Sequence, residues 1–230
     1  MRDTPLVTCI MPTRNRPGWV ERAVLYFEEQ DYPRKELIIL DDSPAATVPR
    51  FSHAHVRYVH EDGNGTLGEK RNRAIELSRG QIIVHWDDDD WMARRRIRYQ
   101  VEALLAGGAS VCGLDRMLFF DLRTRRMWLY QYPAGARKWL AGGSLCYWKK
   151  VWEAHPFDPV TPGEDTRFVW SLEVPMGTLA DFTFYVATIH GRNTCPKQLI
   201  GTCWSRWQGP GFESLVGADR NFYAKAPQGG

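Results

Sequence analysis

The chain has 230 residues, 43% hydrophobic and 25% charged, with a formal net charge of +3. This is ordinary for a soluble globular protein long enough to bury a full core, as one large domain or one domain with a tail. So mild a basic bias implies no nucleic-acid partner, and no stretch approaches the roughly 20 apolar residues of a membrane span.

Arg2 and Asp3 precede a short apolar run, Leu6–Met11, that lacks the length and flanks of a signal peptide. That run reads as a buried strand, closed by the breaker segment Pro12–Gly18. From Trp19 to Gln30 the apolar Val20, Val24 and Phe27 share one helical face, opposite Glu21, Arg22, Glu28 and Glu29. Leu37–Leu40 is a second strand ending in Asp41-Asp42-Ser43-Pro44, and Val56–Val59 a third. Leu67–Ser78 is a helix bounded by Gly65 and Gly80. Ile82–Trp86 is a fourth strand, and Ala93–Ala106 a helix stopped by Gly107-Gly108. Alternating strand and helix signals predict an α/β fold with a mainly parallel sheet flanked by helices.

After residue 108 the pattern changes. Ser110–Leu114, Met117–Asp121, Met127–Tyr130 and Ser144–Trp148 read as short strands, expected to supply antiparallel pieces. The stretch from about Gln208 to Gly230 holds Gly209-Pro210-Gly211 and ends in Gln-Gly-Gly, so a loosely held tail is expected there. The five cysteines are odd in number and form no C-x-x-C pair, which fits a reduced, cytoplasmic protein with Cys9, Cys112 and Cys146 in the core. Arg94–Arg96 and Arg123–Arg126 read as solvated faces, with peripheral contact to anionic lipid as the alternative.

The densest chemical signal is Asp87-Asp88-Asp89-Asp90, directly after an apolar strand and closed by Trp91. Adjacent carboxylates repel at neutral pH, so the block calls for a counter-charge. Carboxylate and water suit Mg²⁺ or Mn²⁺, ions that help bind substrate phosphates. A solvated acidic loop is the competing reading, and the apolar flanks count against it.

In an open parallel sheet, ligands bind beyond the carboxyl ends of the strands. Three polar clusters fall at such ends: Pro12-Thr13-Arg14-Asn15, Asp41-Asp42-Ser43 and the Asp87–Asp90 block. Asp42 fits either a base or ribose contact or a turn cap before Pro44. Gly65–Ala74 opens its helix with glycines and cations, a start that suits a diphosphate, without being a Walker A loop. Arg71 is placed to reach a nucleotide, and Arg73 to lie at the surface. Glu164-Asp165 reads either as dipole-stabilising carboxylates of a first helical turn or as a general base at a pocket mouth. His190 follows the apolar strand Phe182–Ile189, as a satisfied rim residue or as part of a metal shell; His53 and His55 lie in a loop and bind nothing.

Taken in order, Val-Thr-Cys-Ile-Met-Pro-Thr-Arg-Asn, Ile-Ile-Leu-Asp-Asp-Ser, Gly-Glu-Lys-Arg-Asn-Arg-Ala, Trp-Asp-Asp-Asp-Asp-Trp and Gly-Glu-Asp-Thr-Arg-Phe resemble the family 2 glycosyltransferases of GT-A fold, from about residue 6 to 196. The resemblance implies a Rossmann-like GT-A domain over 1–207, with a nucleotide-binding half to about 108, a smaller antiparallel acceptor half over 109–207, and the tail over 208–230. It implies an inverting, non-processive transferase using a nucleotide-diphosphate sugar, with UDP the expected nucleotide, and Mn²⁺ or Mg²⁺. Pro12, Thr13, Asp42 and Arg71 would line the nucleoside pocket, with Asp88 beside them. Asp87 and Asp89 would form the Asp-x-Asp pair at the metal, His190 would approach the metal, and Asp165 would be the base. The chain departs from the family in Arg14-Asn15, where many relatives carry Tyr-Asn or Phe-Asn, and in Cys203, where processive relatives carry the Gln of Gln-x-x-Arg-Trp. The acceptor is open between glycan, lipid-linked glycan, peptide and small molecule. Aromatics after residue 127 (Trp128, Tyr130, Tyr132, Trp139, Tyr147, Trp148, Trp152) offer stacking surface or ordinary core. A metal-dependent nucleotide-sugar phosphohydrolase and a catalytically silent nucleotide-sugar binding protein are the alternatives.

Overall fold

A computed structural model describes residues 4–46, 54–63 and 65–225. In chain order it contains β1 (Val7–Thr13), α1 (Pro17–Glu28), β2 (Lys35–Asp41), β3 (Val56–His60), α2 (Leu67–Glu76), β4 (Ile82–His85), β5 (Trp91–Met92) and α3 (Arg96–Ala106). There follow β6 (Val111–Gly113), β7 (Arg116–Asp121), β8 (Arg126–Gln131), β9 (Cys146–Trp148), α4 (Lys149–Ala154) and α5 (Glu164–Ser171). The chain then forms β10 (Met176–Thr178), β11 (Tyr185–Ile189), β12 (Trp204–Arg206), α6 (Phe212–Val216) and α7 (Arg220–Lys225).

Strand alternation divides the core. Val7, Cys9 and Met11, with Leu37, Ile39, Ile82 and Val84, face α1 and α3, whose Val20, Ala23, Val24, Phe27, Ile97, Val101 and Leu104 recur at helical spacing. Ile10, Ile38, Leu40 and Ile83 point the other way, onto Ala74 and Ile75 of α2, Val151 of α4 and Phe168 and Val169 of α5. Helices thus cover both faces of one mostly parallel seven-stranded sheet, ordered β10-β6-β9-β4-β1-β2-β3. Burial on both faces is why its strands read as continuous apolar runs rather than alternating ones.

A second, mostly antiparallel sheet runs β12-β8-β7-β11-β5, with β7 and β11 parallel. The expected antiparallel pieces after residue 108 therefore part company. β7, β8, β11 and β12 build the second sheet, whereas β6, β9 and β10 extend the first, where β9 runs antiparallel between β4 and β6. Among the described residues no helix is long and apolar enough to cross a membrane.

The expected loose tail is corrected over Phe212–Lys225. Phe212 stacks on Phe120 with ring centroids 3.7 Å apart, and the Tyr223 hydroxyl lies 3.2 Å from that of Tyr26. Asp219 pairs with Arg22 at 2.9 Å and accepts the Trp91 indole N–H at 3.2 Å. Phe212, Val216 and Tyr223 are buried, and burying side chains of this size contributes about 1.5–3 kcal/mol each. That gain outweighs the breaker glycines around them. Arg96 also differs from its neighbours in the basic run: it is fully buried, whereas Arg94 and Arg95 are exposed. The readings of Arg2, Asp3, His53 and residues 226–230 fall outside the described residues.

Candidate active site

β1 lies between β2, which leads to β3, and β4, beyond which the sheet continues into β9, β6 and β10. Its carboxyl end is the point where strand progression reverses, the place where open α/β sheets leave a crevice. Thr13 ends β1 there, and the acidic block follows β4.

The charge of that block is met from within the chain. Thr13 Oγ1 donates to Asp88 Oδ2 at 2.5 Å. Arg16 Nη1 lies 2.8 Å from Asp88 Oδ1 and 2.9 Å from Asp89 Oδ2. Arg71 Nη2 approaches Asp87 Oδ1 at 3.5 Å. Asp90 pairs with the Tyr185 hydroxyl and accepts the Thr188 backbone N–H at 2.8 Å. These surroundings set the carboxylates apart. Burial and the Asp89 charge push Asp88 up to about 6, against Arg16 and Thr13. Burial with the charges of Asp89 and Asp87 raises Asp90 well above the usual carboxylate range. Burial also opposes ionisation of Asp89, but the His190 hydrogen bond and the Arg16 charge outweigh it and hold its pKa low. Burial opposes the charge on Arg16 as well, yet Asp88 and Asp89 keep it firmly protonated.

His190 is brought to this block across about a hundred residues of sequence. Its Nε2 lies 2.9 Å from Asp89 Oδ2, while its Nδ1 accepts the Arg192 backbone N–H at 3.1 Å. An Nδ1 that accepts leaves the neutral ring's proton on Nε2, which therefore donates to Asp89. Trp19 of α1 stacks on the imidazole at 5.3 Å, and Phe222 and Tyr223 of α7 pack against Trp19. The C-terminal helices thus stand behind the histidine.

Asp165 lies in the first turn of α5, with its Oδ1 accepting the Thr166 N–H at 2.6 Å. A turn over Gly142-Gly143 joins it to the acidic block. A Cβ on Gly142 would sit 1.9 Å from Asp165 Oδ2, and one on Gly143 would sit 2.5 Å from Asp87 Oδ2. Only glycine admits both carboxylates so close to that backbone. Buried Arg96 fixes the turn by donating to the carbonyls of Gly143 and His85, each at 2.7 Å. Glu164, the neighbour of Asp165, is instead buried against Arg71 Nε at 3.1 Å. Burial raises its pKa, with Arg71 opposing and Asp165 adding to the rise.

The start of α2 is corrected as a diphosphate cradle. Thr66 and Glu69 form a capping box, the Leu67 N–H donates to Thr161 Oγ1 at 2.5 Å, and the Gly68 N–H donates to the Val160 carbonyl at 3.3 Å. Its first donors are therefore spoken for. Gly68 is there for close approach, since a Cβ would lie 1.9 Å from the Asp158 carbonyl oxygen. Lys70 donates to Asp42 at 2.7 Å and to the Thr13 carbonyl at 3.1 Å, and Arg14 pairs with the same Asp42 at 3.2 Å. Asp42 thus faces two cations. Arg73 pairs at the surface with Glu61, as expected.

A cavity of about 610 Å³ is lined by Pro12, Arg16, Arg71, Asp87, Asp88, Asp89, Asp90 and Asp165. Phe119, Tyr130, Trp139 and Trp204 line it as well, and Asn193–Gln198 complete its rim. Thr13, Asp42 and His190 are not among its lining residues; Thr13 and His190 instead bond to lining carboxylates, Asp88 and Asp89. Of the aromatics weighed as stacking surface, Tyr130 and Trp139 reach the cavity, whereas Tyr147 is core. The sequence reading gave no role to Arg16, Gly142, Gly143 and Tyr185, and took Lys70 only as one cation of the α2 start. The paired glycines were the one local signal.

Residues 8–162 match Glycosyl transferase family 2, more than half of the 230-residue chain, and the chain belongs to that family. It is 35% identical over 102 residues to WcaA of Escherichia coli (strain K12), named as a colanic acid biosynthesis glycosyl transferase, across 41% of this chain and 37% of that protein. It is 30% identical over 129 residues to the succinoglycan biosynthesis protein ExoO of Rhizobium meliloti (strain 1021), across 54% of this chain and 37% of that one. The matched region thus spans little more than a third of either relative. The mannosyltransferase PcManGT from Pyrobaculum calidifontis, solved in complex with GDP-Man and Mn²⁺, superposes with a TM-score of 0.67 at 20% identity over 84% of this chain and 59% of that one. S. aureus TarS 1–349 in complex with UDP-GlcNAc superposes with a TM-score of 0.63 at 15% identity over 82% and 60%. The fold is GT-A.

Proposed function

We propose that this family member transfers a sugar from a nucleotide-diphosphate sugar to an acceptor hydroxyl with inversion, and that Asp165 is the general base. The observation that carries the reading is the one cavity in which the acidic block and Asp165 meet across the Gly142-Gly143 turn. In a single displacement, the acceptor oxygen bonds to the anomeric carbon as its proton passes to the Asp165 carboxylate. The bond to the diphosphate breaks, and its electron pair goes to the phosphate oxygen. Attack from the face opposite the leaving group inverts the centre. Arg71 lines the cavity, and its buried Nη1 has no hydrogen-bond partner among the described residues, a donor suited to a diphosphate oxygen. Tyr130, Trp139 and Trp204 offer apolar faces for a saccharide acceptor, which relatives named for colanic acid and succinoglycan biosynthesis support.

The donor set fits Mn²⁺ or Mg²⁺. Asp87 and Asp89 supply carboxylate oxygens, and His190 stands beside Asp89. No group of three His, Cys, Asp or Glu side chains forms a cage among the described residues; ions of this kind need none, since they take one or two carboxylates with substrate phosphates and water. When bound, such an ion offsets the charge that builds on the leaving diphosphate.

A panel of UDP- and GDP-sugars tested by thermal shift with Mn²⁺, then by product analysis with saccharide acceptors, checks the reading. One donor class should raise the melting temperature only with the ion and should yield an inverted glycoside. Rapid donor hydrolysis without acceptor would favour the phosphohydrolase instead. Gly142→Ala tests the turn separately. The added methyl must displace the Asp165 carboxylate, and a shift of about 1 Å can cost about 10²-fold in rate. Transfer should fall by that order while donor affinity holds; equal loss of both in a binding titration would show that the turn serves the donor.

A further inference from the structure

Arg16 makes three contacts that tie two parts of the cavity wall together. Its Nη1 bridges Asp88 and Asp89 at 2.8 and 2.9 Å, and its Nη2 donates to the Arg192 carbonyl. Arg192 is held a second time, by its own N–H, to Nδ1 of His190 at 3.1 Å. His190 in turn donates from Nε2 to the same Asp89 oxygen that Arg16 engages. The segment just beyond Arg192, Asn193 to Gln198, lines the cavity.

This arrangement opposes a divalent ion on Asp89 Oδ2, the oxygen that Arg16 and His190 both engage. A Mg²⁺-sized ion sits about 2.1 Å from its carboxylate oxygen, and the guanidinium nitrogen already lies 2.9 Å from that oxygen. The two cations would then be within a few ångströms in a buried setting, where their repulsion is poorly screened. The histidine is affected as well. To ligate through Nε2, its ring must carry the proton on Nδ1, and Nδ1 then no longer accepts from Arg192.

We propose that Arg16 is a positioning residue, an internal cation that holds Asp88, Asp89 and the Arg192 turn together until a divalent ion displaces it, so that ion binding releases the two contacts that hold Arg192 while Asn193 stays bonded to His190 and Thr188. The inference rests on the metal reading of the site. Its consequence is that Arg192, next to the cavity-lining Asn193–Gln198 segment, loosens when the ion arrives rather than when the sugar does.

The experiment measures Mn²⁺ binding to the full chain by electron paramagnetic resonance of the free ion, with and without UDP, for wild type, Arg16→Gln and Arg16→Lys. Hydrogen exchange of the 190–198 segment is followed in parallel. Removing the competing charge should tighten Mn²⁺ binding roughly tenfold or more, the scale of a displaced charge-assisted contact. Arg16→Lys, which keeps the charge but cannot bridge both carboxylates and Arg192, should fall between the two. Exchange over 190–198 should rise on adding Mn²⁺ to wild type and should already be high in Arg16→Gln without it. A merely structural role would weaken Mn²⁺ binding in both variants, and that result would overturn the proposal. So would wild-type exchange that Mn²⁺ leaves unchanged. If none of the three proteins binds Mn²⁺ even with UDP, the metal reading itself fails and this inference falls with it.

Discussion

Asp165→Asn is expected to lower sugar transfer by about 10²–10⁴-fold, the usual worth of a positioned base, with donor affinity unchanged. The side-chain carbonyl of Asn can still accept the Thr166 N–H that Asp165 Oδ1 accepts at 2.6 Å, so the start of α5 and its place over Gly142 should persist. What disappears is an oxygen able to take a proton. Glu164 cannot stand in, because it is buried and paired with Arg71 at 3.1 Å. Initial rates at saturating donor, set beside nucleotide titrations of the same protein, separate the two effects. Transfer near the wild-type rate would reduce Asp165 to a helix-start residue, and a parallel loss of donor affinity would move it to the donor side of the cavity.

Much of this arrangement was legible from periodicity and from the recurrence of polar residues at strand ends. β1, β2 and β4 are buried on both faces, and a run such as Ile82-Ile83-Val84 has few other uses in a folded chain. The antiparallel insertion of β9 between β4 and β6 was not legible, because a three-residue strand says nothing about its neighbours. The packing of α6 and α7 escaped for a related reason. Each is too short for periodicity to speak, and the rings that bury Phe212 and Tyr223, those of Phe120 and Tyr26, come from elements far away in the chain. Thr66 and Glu69 do spell a capping box in the sequence. The glycines and cations beside them drew the functional reading instead. The counter-charge was predicted in kind, yet which cation faces the block depends on a separation of about 72 residues, and only the fold selects Arg16.

Asp89→Asn is expected to abolish the ion dependence of nucleotide binding without unfolding the chain. Of the three carboxylates whose ionisation is shifted, Asp89 alone is held low, by His190 and Arg16 against its burial, whereas Asp88 and Asp90 are both raised. Asp89 therefore carries a dependable charge at the Arg16 and His190 contacts, and the amide removes it. Removing one partner of a buried charge pair costs about 2–5 kcal/mol, so Mn²⁺-dependent affinity for UDP or GDP should fall by about 10²-fold. Stability should change little, because the losses and gains lie side by side. Arg16 keeps Asp88 at 2.8 Å, and Asp88 and Asp90 are each relieved of the neighbouring charge that helps to raise them. Calorimetric titration of nucleotide with and without Mn²⁺, together with the melting temperature of the free protein, reads both effects. Unchanged ion-dependent affinity would remove Asp89 from the metal site. A collapse in melting temperature would mean that the carboxylate serves the Arg16 and His190 contacts of the fold more than it serves any ion.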